Sequence, residues 1–128
     1  MSTDIVTDIK TIGSLKKRAD FLRVNALQKK WVTKSFIIQY APQPEGLDIA
    51  DDIRFGLTIT KRVYKNATDR NRVKRRLRAI CKDILPTHGI HTSDYVLIGR
   101  AEARDKDFED IRRDLKWALK RLHSAPKT

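Results

Sequence analysis

The chain has 128 residues, with 28 Lys or Arg against 16 Asp or Glu, giving a formal charge of +12 and a sequence pI near 10.1. That length fits one compact domain, and 40% hydrophobic residues are too many for a disordered tail. No apolar run approaches the roughly 18 residues of a membrane-spanning helix, and so basic a chain calls for a polyanion, a nucleic acid before a membrane.

Residues 1–13 read as a flexible tail. Met1 to Gly13 holds no apolar signal core, so a cytoplasmic location is expected. Ser14 is placed to cap a helix running to about Leu27. Leu15, Ala19, Leu22 and Ala26 share one apolar stripe of it, while Phe21 and Val24 fall off that stripe. Trp31 to Thr33 is short and β-prone, and Ser35 to Tyr40 is a better strand. Ala41 to Asp52 holds two prolines, a glycine and four acids and predicts a loop. Arg54 to Lys61 alternates, with Phe55, Leu57 and Ile59 on one side and Gly56, Thr58 and Thr60 on the other, a half-buried strand with one small, polar face.

A helix is predicted from about Asp69 to Leu85, capped by Asp69 or Thr68 and stopped by Pro86. Residues 86–93 form a loop. Tyr95 to Arg100 is an apolar run, hence a central or buried strand. A last helix runs from about Asp105 to His123, with a core stripe of Phe108, Ile111, Leu115, Ala118, Leu119 and Leu122. Its acids lie early and Lys116, Lys120 and Arg121 late, as the helix dipole favours. The order α-β-β-β-α-β-α predicts an α+β two-layer sandwich, with helices packed on a small mixed four-stranded sheet. Residues 14–123 make the single domain and 124–128 a C-terminal tail.

The chemistry concentrates in residues 61–82, which hold ten Lys or Arg and one acid, Asp69. On the predicted helix Val73, Leu77, Ile80, Cys81 and Ile84 cluster within about 100°. Arg72, Arg75, Arg78 and Lys82 take the opposite side, with Lys74 and Arg76 on the flanks. A solvated helix face normally mixes acids among its bases, and none lies between Arg70 and Lys82. Arg also suits bidentate phosphate contacts, so this face predicts phosphate-backbone binding. Cys81 lies on the apolar side as a small core residue; as the lone cysteine it cannot form an intrachain disulfide and fits a reducing compartment. His88, His91 and His123 have no close cysteine or carboxylate partners, and no protein metal site is expected. Phe21 has Lys17 one turn earlier, an arrangement suited to stacking on single-stranded bases. Packing of Phe21 and Val24 on the sheet is the equal alternative.

Arg54 to Val63, then Asn66-Ala67, then Arg70 to Arg78 with its Arg-Asn-Arg opening, closely resemble the protein component of bacterial ribonuclease P. Leu15 to Val24 and Tyr95 to Arg100 fit in order and spacing, so the resemblance covers about residues 14–123. It implies a protein subunit that binds a large catalytic RNA and the 5′ leader of precursor tRNA and assists endonucleolytic removal of that leader. The active site and its Mg²⁺ would belong to the RNA, with no catalytic residue in the protein and a 1:1 protein–RNA complex. A left-handed βαβ crossover would follow. Carried over by position, Lys61, Arg62, Arg70, Asn71, Arg72, Lys74, Arg75 and Arg78 would bind the catalytic RNA. Lys17, Phe21, Phe36, Gln39 and Thr58 would line the leader cleft. The chain departs from the family pattern in Tyr64-Lys65, one residue longer where glycine is common, and in Asn25 and Gln39, where cleft aromatics are usual. The competing function is a non-catalytic structured-RNA-binding protein resembling a ribosomal protein. An enzyme with its own active site is disfavoured, because no carboxylate pair beside a histidine, nucleophile motif or phosphate loop is present.

Overall fold

In a computed structural model, which describes residues 9–124, the chain forms strand β1 (Ile12–Ser14), helix α1 (Arg18–Leu27), strands β2 (Lys29–Val32), β3 (Phe36–Pro42) and β4 (Ile53–Thr58), helix α2 (Ala67–His88), strand β5 (Ser93–Gly99) and helix α3 (Phe108–Leu122). One sheet has the order β1-β4-β5-β3-β2. β5 is its middle strand, as its unbroken apolar run predicts; it pairs parallel with β4 and antiparallel with β3. The parallel β4–β5 pair joined through α2 is the βαβ unit.

Side chains alternate across a strand, and here the two faces receive different helices. Phe36, Ile38, Ile53, Phe55, Tyr95 and Leu97 join Val73, Leu77, Ile80 and Ile84 of α2 and Ile111, Leu115 and Leu119 of α3 in the main core. The other face carries a smaller cluster, in which Val24 of α1 and Leu15 meet Ala41 and Val96, with Phe21 and Ile98 at its margin.

The sheet has five strands rather than four. Residues 12 and 13, expected in the tail, belong to β1, which pairs parallel with β4 through Ile12↔Ile53 to Ser14↔Phe55. Leu15 N–H extends the ladder to Phe55 O at 2.9 Å. Ser14 is thus committed to a strand, and α1 begins four residues later behind Lys17, with no side-chain cap. Of the two apolar sides that the sequence leaves open for this helix, the sheet takes the one with Phe21 and Val24. Ala19, Leu22 and Ala26 are exposed, whereas Val24 is fully buried. The remainder of the tail, 1–8, and residues 125–128 lie outside the described residues.

Helix α2 starts at Ala67 behind Asn66 and runs through Pro86 to His88. Pro86 lies in the last turn, where its missing N–H costs a single helical bond, and Gly89 N–H still reaches Leu85 O at 2.9 Å. Asp69 is not the cap; its carboxylate accepts from Arg104 at 3.2 Å. Helix α3 begins at Phe108, which is 38% exposed while the rest of its predicted stripe is buried. Phe108 lies under the Arg76 guanidinium at 5.8 Å instead.

Candidate RNA-binding site

The apolar side of α2 sinks Val73, Leu77, Ile80, Cys81 and Ile84 into the core, which turns its cationic side outward. Burial pushes the Cys81 thiol well above its ordinary pKa, so it is an inert core group. Asn71, Arg72, Arg75, Arg78 and Lys82 are exposed and Lys74 is half-buried. Among the described residues no carboxylate lies within ion-pairing distance of Arg72, Lys74, Arg75, Arg78 or Lys82. Lys61 and Arg62 are exposed in the turn that follows β4.

Three arginines of the same helix also donate to backbone carbonyls, Arg72 only through a long Nε contact to Arg104 O at 3.4 Å. Arg70 Nη1 donates to the carbonyls of Tyr64 and Lys65, each at 2.9 Å, and ties down the loop before the helix. Arg76 donates to Lys106 O and holds the segment leading into α3. The long link between Arg62 and Arg70 is itself fastened. Tyr64 is buried, and its hydroxyl lies 2.7 Å from Arg100 O and 2.8 Å from Ala101 O while accepting the Arg104 N–H at 3.2 Å. Its phenol is pushed up in pKa, first by burial. The extra length therefore carries a plug, for which only an isolated aromatic in a polar loop was visible in the sequence.

On the sheet face under α1, the ring of Phe21 rests on Gly56. A Cβ at Gly56 would lie 2.4 Å from Phe21 Cζ, so only glycine admits the ring at this depth. Phe21 is half-buried and lines two adjoining hollows. One, of about 180 Å³, lies between Phe21, Gly56, Lys74 and Arg78. The other, of about 470 Å³, is lined by Lys16, Arg18, Phe21, Thr58, Ile59 and Lys74. Lys74 belongs to both, so the cleft and the cationic side of α2 are one surface.

The structure does not bring all five cleft candidates together. Phe21 and Thr58 line the cleft, and the cations beside them are Lys16, Arg18 and Lys74; Lys17 is exposed just outside. Phe36 is fully buried in the main core on the opposite face of the sheet, so it is not a cleft residue: strand alternation points it at α2 and α3. Gln39 has the right face but is 5% exposed, and its amide donates to Asn25 Oδ1 at 2.7 Å. Asn25 and Gln39, the two departures from the family resemblance on this side of the sheet, thus bond to each other.

What holds α1 in place is an ion cluster beneath it. Asp94, fully buried, accepts from Arg54 Nε at 2.9 Å and Nη2 at 2.6 Å and from Arg23 of α1. Arg23 also reaches Asp20 at 3.3 Å and Pro42 O at 2.9 Å. The hydrogen bond to Asp94 raises the pKa of Arg54. The signal available in the sequence was one charge at the start of each of two strands, Arg54 and Asp94, which the register sets opposite each other.

A cationic helix running into a cleft with an aromatic ring at its base, on a mixed sheet, defines an RNA-binding protein of the α+β class. The profile of the Ribonuclease P family matches residues 10–123, and the chain belongs to that family. It is 45% identical over 118 residues to the ribonuclease P protein component of Paramagnetospirillum magneticum, covering 91% of this chain and 87% of that one. Its fold matches the RNase P protein of Staphylococcus aureus with a TM-score of 0.68 and 27% identity, over 86% of this chain and 94% of that one. The Thermotoga maritima RNase P protein matches with a TM-score of 0.67 and 27% identity, over 87% and 98%. The chain is therefore the protein subunit of a tRNA-processing ribonuclease, partnered by ribonuclease P RNA. No helix among the described residues is long and apolar enough to cross a membrane.

Proposed function

We propose that this subunit grips the catalytic RNA with Arg72, Lys74, Arg75 and Arg78, aided by Lys61, Arg62 and Asn71, and takes the 5′ leader of precursor tRNA into the cleft beneath α1. Arg70 contributes by ordering the loop that presents Lys61 and Arg62. The observation that carries this reading is the continuity of the two surfaces at Lys74, which lines the Phe21 hollow while standing on the cationic helix. A strand leaving the RNA on α2 meets Phe21 as its first aromatic. There a base can stack on the exposed part of the ring while its phosphates meet Lys16, Arg18 and Lys74.

Chemistry falls to the RNA. In this reading the RNA subunit holds the catalytic Mg²⁺, in keeping with the chain's membership of the Ribonuclease P family. The protein contributes position and positive charge in a 1:1 complex, working in the cytoplasm on precursor tRNA. The test is reconstitution with the catalytic RNA of the same organism. Precursor tRNA should be cleaved to the mature 5′ end at low Mg²⁺ only when both subunits are present. Cleavage by rigorously RNA-free protein would defeat the assignment.

A further inference from the structure

On the layer formed by α2 and α3, facing away from α1, a second aromatic and cationic surface is unused by the cleft. Trp117 is 53% exposed. The Arg121 guanidinium lies over its ring at 5.4 Å from the centroid and, at the same 5.4 Å, over the ring of Trp31 on β2. One arginine thus holds two indoles, fixing Trp117 at the surface without burying it. Beside it opens a hollow of about 470 Å³ with an apolar floor that includes Ile90 and Leu119 and a rim that includes His88, Lys116 and Lys120.

The charge around this indole is one-sided. Residues three and four away on a helix are surface neighbours; those of Trp117 are Arg113, Asp114, Lys120 and Arg121. Asp114 is held by Lys106 at 3.0 Å, and Arg113 is paired with Asp110 at 2.9 Å. Among the described residues no acid pairs with Lys116, Lys120 or Arg121. An exposed aromatic that shares the lining of one hollow with Lys116 and Lys120 matches the alternation of base and phosphate along an unpaired RNA strand. A second copy of this chain, at +12, would meet like charge.

We propose that this surface is a second contact with ribonuclease P RNA, in which an unpaired base of that RNA stacks on Trp117 and its flanking phosphates lie on Lys116 and Lys120. α3 packs beside α2 on one layer, so an RNA large enough to cover the cationic side of α2 can extend over α3. The leader, threaded under α1 on the opposite face of the sheet, cannot occupy both places.

The experiment uses the full chain and the RNA subunit. Trp117→Ala should weaken RNA-subunit binding by roughly 5- to 100-fold, the range of one stacked base, with the salt dependence unchanged. Trp117→Phe should keep most of the affinity. Replacing Lys116 and Lys120 together by Ala should flatten the log–log salt slope by about two units. In a Trp31→Phe background, Trp117 emission should be quenched on titration with the RNA subunit. Because Trp117 is outside the core, Trp117→Ala should melt with the wild type; if it melts lower, Trp117→Phe and the quenching decide. Wild-type RNA affinity for Trp117→Ala, or unquenched emission, overturns the proposal and turns the surface over to a protein partner. So does a loss confined to precursor tRNA binding by preassembled holoenzyme.

Discussion

Gly56 decides how deep an aromatic ring can lie beneath α1. An added Cβ would stand 2.4 and 2.6 Å from two atoms of the Phe21 ring, so Gly56→Ala should push the ring out of its seat. Overpacking of this kind costs about 1–3 kcal/mol, read as a lower denaturant midpoint. Phe21→Ala removes the ring itself. Stacking of one base is worth about 1–3 kcal/mol, so the variant holoenzyme should lose affinity for precursor tRNA by that amount and keep its affinity for mature tRNA, which has no leader. Equal losses for both would leave Phe21 a packing residue. Phe21 was legible as a candidate because it stands off the aliphatic stripe beside cations. Phe36 was misplaced because residue type does not reveal strand face; only its register against Gly99 does so. Gln39 was misplaced because its partner, Asn25, lies across a helix–sheet contact invisible in local sequence.

At the scale of elements, α2 separates two kinds of arginine. Arg72, Lys74, Arg75 and Arg78 have no acid partner, so alanine at each should flatten the salt slope of RNA binding by about one unit and cost on the order of 1 kcal/mol. Arg72 reaches a carbonyl only through one long Nε contact at 3.4 Å, whereas Arg70 and Arg76 are firmly engaged with carbonyls. Their alanine variants should lower the melting temperature first and leave the slope nearer the wild type. A full unit of slope lost with either would show that it holds a phosphate after all. The helix was legible because a 3.6-residue pattern with an uninterrupted cationic side has few other uses. The inward face of helix α1 stays open in the sequence, because the helix buries little more than Val24 and Phe21 and depends on ion pairs for its docking. Asp94→Ala would strand Arg54 in a partly buried site, at a cost of roughly 3 kcal/mol. Hydrogen exchange should quicken in α1 while α2 and α3 stay protected; uniform loosening would mean that Asp94 supports the whole sheet.

The whole molecule is joined at a point where α3 ends over the middle of the sheet. His123, just past α3, shares a hydrogen bond of 2.7 Å between its Nε2 and the Tyr95 hydroxyl of β5, and that hydroxyl accepts the Ile90 N–H at 3.1 Å. The Tyr40 ring of β3 lies edge-on to the imidazole at 4.8 Å. Burial first, and the charge of Lys29 second, depress the imidazole pKa below its ordinary value; burial raises the Tyr95 phenol to about 12. None of this was legible in the sequence, where His123 ended a helix, just as β1 was hidden because its pairing with β4 spans some forty residues of chain. The sign follows from linkage. The unfolded chain takes up the imidazole proton near pH 6.5, and the folded protein does so only at lower pH. The contribution of His123 is therefore complete above about pH 6.5 and is lost as pH falls through the depressed folded value. Asp52, depressed chiefly by the Thr11 backbone N–H, and Asp105, depressed chiefly by Arg104, add their own losses only below about pH 4. The melting temperature of the free protein should thus drop between pH 7.5 and 5, above the range in which Asp52 and Asp105 add their losses. His123→Gln keeps a hydrogen-bonding partner for the Tyr95 hydroxyl without a titrating group, and should abolish that drop. A variant that still loses stability over the same interval would assign the effect to the growing positive charge of the chain rather than to this junction.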